Sequence, residues 1–402
     1  MFGELPKLFD RDFAIGYFLP VAAFVAASYG LLTAFGLWMR LFPALTADNA
    51  LMYGSIVVVA SWFCAVFLLA TNRFIYRLKE GYPLTFIDPR LNFRQRRRYK
   101  KLVDKSEDLK NRREDLEHQI EHEKAKPRGE QDSGKVEELQ ATVDKLTTKR
   151  DSYLIQIAER FPDEKYILPT RFGNIIRSFE TYSRLVYGFE DIQGWSRLIA
   201  VVPDDYRALI NAAKAVVDFW INLWFASTLL IIEYVTIIVY LVRYSDRQDS
   251  LLSLFWSPVL VYPILALALA FLASWRAKDS AISWGDHIRA TSDLFLPELS
   301  RKLGFPSGSR DQHKALWILF SRMIIYRLPQ HIDELLKLQL IDSSNDSTDG
   351  NRFQLLQELT KQLVASKSEI AELRSELESC KSELIKLRSQ LESGKPEPKQ
   401  ST

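Results

Sequence analysis

The sequence has little cysteine and lacks the common patterns of a catalytic or metal site. Its 402 residues include two cysteines, Cys64 within an apolar run and Cys380 near the C-terminus. These two are not expected to pair, which excludes a disulfide framework and a Cys-based zinc site. No phosphate-binding glycine loop, nucleophile elbow or paired-carboxylate arrangement is present, so we expect no enzyme and no cofactor. His118 and His122 share a helix face, but in so charged a segment this spacing is more typical of a solvated surface than of a metal site.

Four long windows are almost free of charge, although the whole chain is 26% charged with a net charge of +3. That small net charge does not indicate a nucleic-acid partner. The windows are residues 13–38, 51–71, 216–242 and 251–275. Each is long enough to cross a bilayer core of about 30 Å, so we predict two transmembrane hairpins, in residues 1–71 and 216–275. The first window is too long for the core of a signal peptide and is expected to stay as an anchor.

Small residues are frequent in the first span. They include Gly16 and Gly30. Because small residues let membrane helices approach closely, this span is expected to lie against a neighbouring helix.

A basic collar follows the second window, in residues 72–101. The 30 residues from Asn72 to Lys101 carry ten Lys or Arg against two acids. Such a flank marks the cytoplasmic side of a span, and an even number of spans then puts both termini in the cytoplasm. The collar favours contact with anionic lipids over binding of a nucleotide or RNA, since no aromatic-interleaved fold accompanies it. Its lipid-facing members are Arg94, Arg96, Arg97, Arg98, Lys100 and Lys101.

The remaining segments are predicted to be helical and cytosolic. Residues 102–160 show heptad-like apolar spacing around a Pro- and Gly-containing breaker, which predicts a coiled-coil hairpin. Residues 161–215 and 276–340 are two further helical regions. The second has an apolar face between Leu316 and Ile325 that needs a partner, and residues 161–215 are the expected one. A polar linker follows at 341–352, and the tail at 393–402 has a disordered composition.

The C-terminal segment 353–392 has the most regular periodicity in the chain. Nine of eleven a and d positions over five heptads are Leu or Ile. Glu at g and Arg or Lys at the following e positions fit a parallel, in-register bundle, which predicts self-association. The core positions that carry this prediction are Leu356, Leu363, Ile370, Leu373, Leu377, Leu384, Leu387 and Leu391.

Glu233 is the most unusual single residue, because it lies near the middle of the third window. An ionisable group there costs roughly 2.5–3.5 kcal/mol on insertion scales, so it indicates either a pore-lining carboxylate or a polar contact between helices. Thr228 and Asn222 are further polar candidates on the same span. Asp218 lies near the cytosolic end of that span, where an acid is expected to need no special account.

Three stretches carry a resemblance. They are LPTRFGN at 168–174, YGFEDIQGWSRL at 187–198 and PDDYR at 203–207. The region 160–330, with the four-span layout, resembles an uncharacterised group of bacterial membrane proteins. The resemblance implies a bacterial inner membrane and no particular activity, and it does not extend to the two coiled coils.

These observations predict an all-α integral membrane protein with two transmembrane hairpins, a cytosolic coiled-coil hairpin and a parallel C-terminal coiled coil. We expect a non-enzymatic homo-oligomer that uses its coiled coils for assembly and for recruiting a cytosolic protein partner. The alternative is an oligomeric ion channel or pore-forming effector gated by its cytosolic domains. The distinguishing residue is Glu233, which would line the conducting path only in the alternative.

Overall fold

A computed structural model of the chain describes residues 10–37, 50–87, 89–127, 132–244, 260–305 and 309–326. The chain divides into two compact units, Met1–Ile332 and Asp333–Thr402. All described residues belong to the first unit, so the predicted C-terminal heptads lie outside them. Every regular element in the described ranges is helical, which confirms the predicted fold class at that level.

Four of the helices are long and apolar enough to cross a membrane. We label them α1 (Arg11–Ala34), α2 (Ala50–Glu80), α9 (Asp204–Tyr244) and α10 (Val261–Lys302). They overlap the four predicted windows, and residues 251–259 of the fourth window lie outside the described residues. Many of their apolar side chains are exposed, for example Phe63, Phe67 and Phe271. Apolar surface on this scale is expected where a helix faces lipid.

The other helices are shorter or strongly polar. After α2 come α3 (Tyr82–Ile87), α4 (Phe93–Lys124), α5 (Ser133–Arg160), α6 (Arg171–Glu180), α7 (Tyr182–Val186) and α8 (Asp191–Leu198). The last described helix is α11 (Arg310–Tyr326). Short 3₁₀ turns lie at Pro89–Asn92, Glu164–Tyr166 and Ile199–Val201.

Small residues allow the apolar helices to pack closely. A row on α10 is almost fully buried, and it consists of Ala266, Ala273, Ala277, Ala281 and Gly285. On α1, a Cβ at Gly16 would lie 3.3 Å from Asp218 Cβ of α9, and one at Gly30 would lie 3.0 Å from the Tyr262 hydroxyl of α10. The expectation that the first span lies against neighbouring helices is therefore confirmed.

Helices α1 and α2 are in direct contact. The Asn72 amide donates a hydrogen bond to the Tyr17 hydroxyl, and an apolar groove joins residues 10–18 to Val58, Val59 and Trp62. The antiparallel hairpin expected for the first two spans stays a prediction.

Helices α4 and α5 lie side by side in opposite directions. Glu123 pairs with Lys135 near the turn, the Lys105 ammonium lies over the Tyr153 ring, and the Tyr99 ring contacts that of Phe161 at the base. We call this pair the arm. Leu109, Ile120 and Val143 are its buried apolar residues. Its 32-residue first helix is about 48 Å long at 1.5 Å per residue.

The stretch LPTRFGN, at 168–174, contains the start of α6 and contacts the end of α2. The Asn174 side chain bonds both the N–H and the carbonyl of Leu168, and Thr170 caps α6 by accepting from the Gly173 N–H. The Thr170 hydroxyl also lies within hydrogen-bond distance of the Glu80 carbonyl, at 2.8 Å. Gly173 is required because a Cβ there would lie 2.5 Å from that carbonyl oxygen.

An apolar cluster forms where α11 packs against α8 and α10. The Trp317 ring lies 5.1 Å from that of Phe189, and Leu198 and Leu296 complete the buried contact. The apolar face of α11 thus packs against the 161–215 segment, as the sequence predicted. Gly188, with a φ of 80°, lets the chain turn into this cluster, because L side chains rarely adopt that conformation.

We predict that Gly173→Ala lowers the free energy of unfolding by about 1–3 kcal/mol, because the added methyl group would overlap backbone rather than a flexible side chain. The measurement is SDS-titrated unfolding in mixed micelles, followed by tryptophan fluorescence. Gly54→Ala is the matched control: a Cβ there has nothing within 4 Å, so the change should be neutral or stabilising. Equal effects of the two substitutions would contradict the close approach of α6 to α2.

Candidate functional site

The carboxylate of Asp218 is the centre of a polar cluster between three of the long helices. Asp218 is 3% exposed and lies on α9, facing α1 and α2. A carboxylate removed from water in this way needs several donors to compensate for lost hydration. The structure supplies them from all three helices.

Four side chains donate to this carboxylate. Tyr17 on α1 donates to Oδ2 at 2.9 Å, and Tyr76 on α2 donates to Oδ1 at 2.7 Å. The Asn72 amide lies 3.2 Å from Oδ1 and 2.7 Å from the Tyr17 hydroxyl. One helical turn before Asp218, the Lys214 ammonium donates to Oδ2 at 2.7 Å. We call these five residues the Asp218 cluster.

The part of α1 that contributes Tyr17 to the cluster has an irregular helical backbone. Ala14–Phe18 form a π-helical segment within the first span. A π-helical turn bonds i to i+5 and occurs often at functional sites. The Gly16 carbonyl within it accepts a hydrogen bond from the fully buried Asn222 amide at 2.8 Å. Gly16 also lets the α1 backbone approach Ala215 and Asp218 closely.

A buried lysine joins α2 to α9 and α10. The Lys79 side chain of α2 is 8% exposed, and its ammonium lies 3.8 Å from the centre of the Trp224 ring of α9. It donates to the Ser274 hydroxyl of α10 at 2.7 Å. Cation–π contact and hydrogen bonding together compensate for part of its lost hydration. The polar side chains of α2 therefore bind both α9 and α10.

The acceptor positions of the Asp218 carboxylate are all occupied, which limits the chemistry that the cluster can perform. A carboxylate has about four acceptor positions, and four donors occupy them here. No further lone pair is left for a substrate or metal without displacing a side chain. The cluster is therefore suited to joining helices, and each donor removed would leave a buried acceptor partly unsatisfied.

A second polar group lies between the start of α3 and the last turn of α6. Arg177 donates to the Tyr82 hydroxyl at 3.0 Å and pairs with Glu180 at 3.3 Å. Burial raises the pKa of Glu180, while the neighbouring Arg177 guanidinium opposes that rise. Burial likewise raises the pKa of the Tyr82 hydroxyl, with Arg177 opposing it. This group joins α3, which follows α2 in the chain, to α6.

The three polar residues proposed for the third span do not form one site. Glu233 accepts a hydrogen bond from Ser28 of α1 at 2.7 Å. Thr228 donates to the Trp224 carbonyl of its own helix, and Asn222 donates to Gly16. Asn222 and Glu233 are separated by about 16 Å of helix at 1.5 Å per residue. Two of the three residues therefore join α9 to α1 at separate levels.

The six collar residues that were predicted to face lipid lie at the beginning of α4. Arg94, Arg96, Arg97, Arg98, Lys100 and Lys101 are all exposed there. Their contact with lipid stays a prediction. The eight heptad positions predicted to drive self-association, from 356 to 391, lie outside the described residues.

The expectation that Asp218 needs no special account was wrong. Its donors on α1 and α2 lie about 200 and 140 residues away in the sequence, so no local pattern joins them to it. A partial signal was available: Lys214 and Asp218, like Asn72 and Tyr76, lie four residues apart and so share a helix face. Polar pairs of this kind at the edge of an apolar window indicate contacts between membrane helices.

No protein-family model matches this sequence, and it matches no curated protein and no solved structure. The resemblance of the 160–330 region to a bacterial membrane-protein group therefore stays a prediction. The residues that carried it are nevertheless placed: Thr170, Gly173 and Asn174 organise the start of α6, and Phe189 and Leu198 are buried against α10 and α11.

We predict that Asp218→Asn lowers the free energy of unfolding by about 2–4 kcal/mol, because the amide turns N–H groups toward existing donors and leaves Lys214 unpaired. SDS-titrated unfolding of the purified chain measures this. The control is Asp144→Asn, since Asp144 is exposed on α5 and its replacement should change stability by less than about 0.5 kcal/mol. Similar values for the two variants would show that the cluster does not hold the helices together.

Proposed function

We propose that this chain is a non-enzymatic integral membrane protein that assembles with itself and recruits partners through its coiled coils. The observation that best supports this is the use of the polar side chains within the spans. Asp218, Asn222 and Glu233 each bond a neighbouring helix. Spans that use their polar groups in this way are suited to anchoring and positioning rather than to chemistry on a substrate.

The arm supports a role in recruitment. The contacts that join it to the helical body lie at its base, where Glu159 accepts from Ser178 and Ala158 accepts from Arg289. From there α5 extends back to Ser133, a distance of about 38 Å at 1.5 Å per residue. Its outward surface is charged, as in Asp108, Arg112 and Glu114. A rigid, charged projection of this length offers a long surface to a protein partner, and a coiled-coil geometry for it is part of the proposal.

Continuous helices support communication between the arm and the membrane. Helix α9 runs from Asp204 to Tyr244 and α10 from Val261 to Lys302, each combining an apolar span with a polar extension. Arg289 on the extension of α10 donates to Ser178 of α6 and to the base of α5. A displacement of the arm would therefore reach a spanning helix through direct contacts.

The channel alternative requires Glu233 to face a water-filled path. Its carboxylate instead accepts from Ser28, on the surface where α1 meets α9. Hydrogen bonds of this type are used for association between membrane helices. The contact favours the assembly proposal over the channel.

We further propose that the chain resides in a bacterial inner membrane with both termini in the cytoplasm. The collar at the start of α4 supports this orientation, since dense Lys and Arg near a span mark the cytoplasmic side. The helical body formed by α4–α8 and α11 would then be cytosolic.

Self-assembly predicts that a chain truncated after Asp342 has a smaller oligomeric mass than the full chain, because the truncation removes every predicted heptad. Multi-angle light scattering of the detergent-solubilised protein measures the subunit number. Truncation after residue 392 is the control, since it removes the tail and leaves the heptads. A full-length variant carrying Ile370→Asp and Leu377→Asp should also lose subunits. Retention of the full oligomeric mass by the Asp342 truncation and this variant would remove the C-terminal segment from that role.

A further inference from the structure

A basic pocket lies where the base of the arm meets α6 and the end of the fourth span. Its volume is about 370 Å³. Residues from α4, α5, α6 and α10 line it, so segments distant in the sequence converge on one space. The cationic groups among them are Arg98, Lys101, Lys105, Arg160, Arg171 and Lys278.

The charge of this pocket is strongly one-sided. Six cationic side chains line it against one carboxylate, that of Asp279. Within the described ranges, none of the six forms an ion pair with a carboxylate. Like charges in one concave space repel one another, and such a space concentrates anions from solution. An anion would relieve the repulsion.

The other lining residues place the pocket and add a polar group. Trp275 follows the apolar run of α10, a position typical of aromatic residues at a membrane surface. Gln95 is 8% exposed, and its Oε1 atom is buried without a hydrogen-bond partner in the described part of the chain. Since a carboxamide can present either its oxygen or its NH₂ group, Gln95 can bond a phosphate oxygen or a hydroxyl.

We propose that this pocket binds a phosphate-bearing anion at the membrane surface. Arginine matches phosphate oxygens through two parallel N–H bonds, and lysine adds point charge, so the lining contains both groups that phosphate recognition uses. The volume exceeds what one phosphate fills and lies within the range of small-molecule sites. A phospholipid headgroup and a soluble phosphate compound share this chemistry, and basic pockets beside membrane helices bind lipid headgroups.

The pocket divides the collar into two parts. Arg98 and Lys101 line it, whereas the lining does not include Arg94 or Arg96. Diffuse attraction to an anionic surface would treat these four residues alike. A discrete site would depend on Arg98 and Lys101 together with Arg171 and Lys278, which lie outside the collar. The collar therefore provides its own matched control.

The test uses the full chain in phosphatidylcholine nanodiscs. Isothermal titration with pyrophosphate probes the soluble source, and native mass spectrometry of nanodiscs containing cardiolipin probes the lipid source. The pocket variant carries Arg171→Gln and Lys278→Gln, and the control carries Arg94→Gln and Arg96→Gln. We expect the pocket variant to lose about tenfold or more in affinity, because it lacks two cationic side chains that can form charge-assisted bonds to phosphate. The control should lose less than about threefold, because Arg94 and Arg96 do not line the pocket and salt screens their exposed charges.

Binding of pyrophosphate with this pattern supports the proposal and assigns a soluble ligand, and binding of cardiolipin alone assigns a lipid headgroup. Equal losses in the two variants, or no binding of either probe, would overturn it. If the pocket variant is misfolded by light scattering and circular dichroism, Lys101→Gln with Lys105→Gln replaces it, since both lysines are exposed on α4. This second variant must show the same selective loss.

Discussion

The structure depends most on the buried carboxylate of Asp218. A lone carboxylate in an apolar environment is strongly unfavourable, and it becomes acceptable only when donors surround it. The donors here come from three helices: Tyr17 on α1, Asn72 and Tyr76 on α2, and Lys214 on α9 itself. Because no single helix can satisfy Asp218, the three must come together at one level and in one rotation. Apolar packing between membrane helices lacks this specificity, since lipid tails are as apolar as leucine.

The remaining contacts extend that constraint from the membrane helices to the polar body. Thr170 forms a hydrogen bond to the end of α2, and Gly173 allows the backbone of α6 to approach it closely. Helix α6 in turn bonds the base of α5 and the extension of α10 through Ser178. Helices α2 and α6 and the hydrogen bonds between neighbouring helices thus connect the Asp218 region to the base of the arm. The basic pocket lies beside this path, so an anion bound there would contact α4, α5, α6 and α10 at once.

Sequence patterns predicted the features that depend on composition and local spacing. The all-helical class and the four apolar helices follow from windows with almost no charge, and the packing of α11 on the 161–215 segment follows from its unpartnered apolar face. Glu233 was recognised because an acid in mid-span is rare, and its bond to Ser28 was among the expected kinds of contact. Asp218 and the basic pocket could not be predicted in this way. Both are assembled from residues far apart in the sequence. Each of these residues, taken alone, has an ordinary local explanation.

The most direct test of the central claim is a double-mutant cycle between Tyr76→Phe and Asp218→Asn. Four proteins are unfolded in SDS-mixed micelles: the native chain, the two single variants and the double variant. If the hydroxyl of Tyr76 acts through the Asp218 carboxylate, the two losses of stability should overlap, with a coupling energy of about 1–3 kcal/mol. Additive losses, with a coupling energy below about 0.5 kcal/mol, would show that the two residues act independently and would contradict the account.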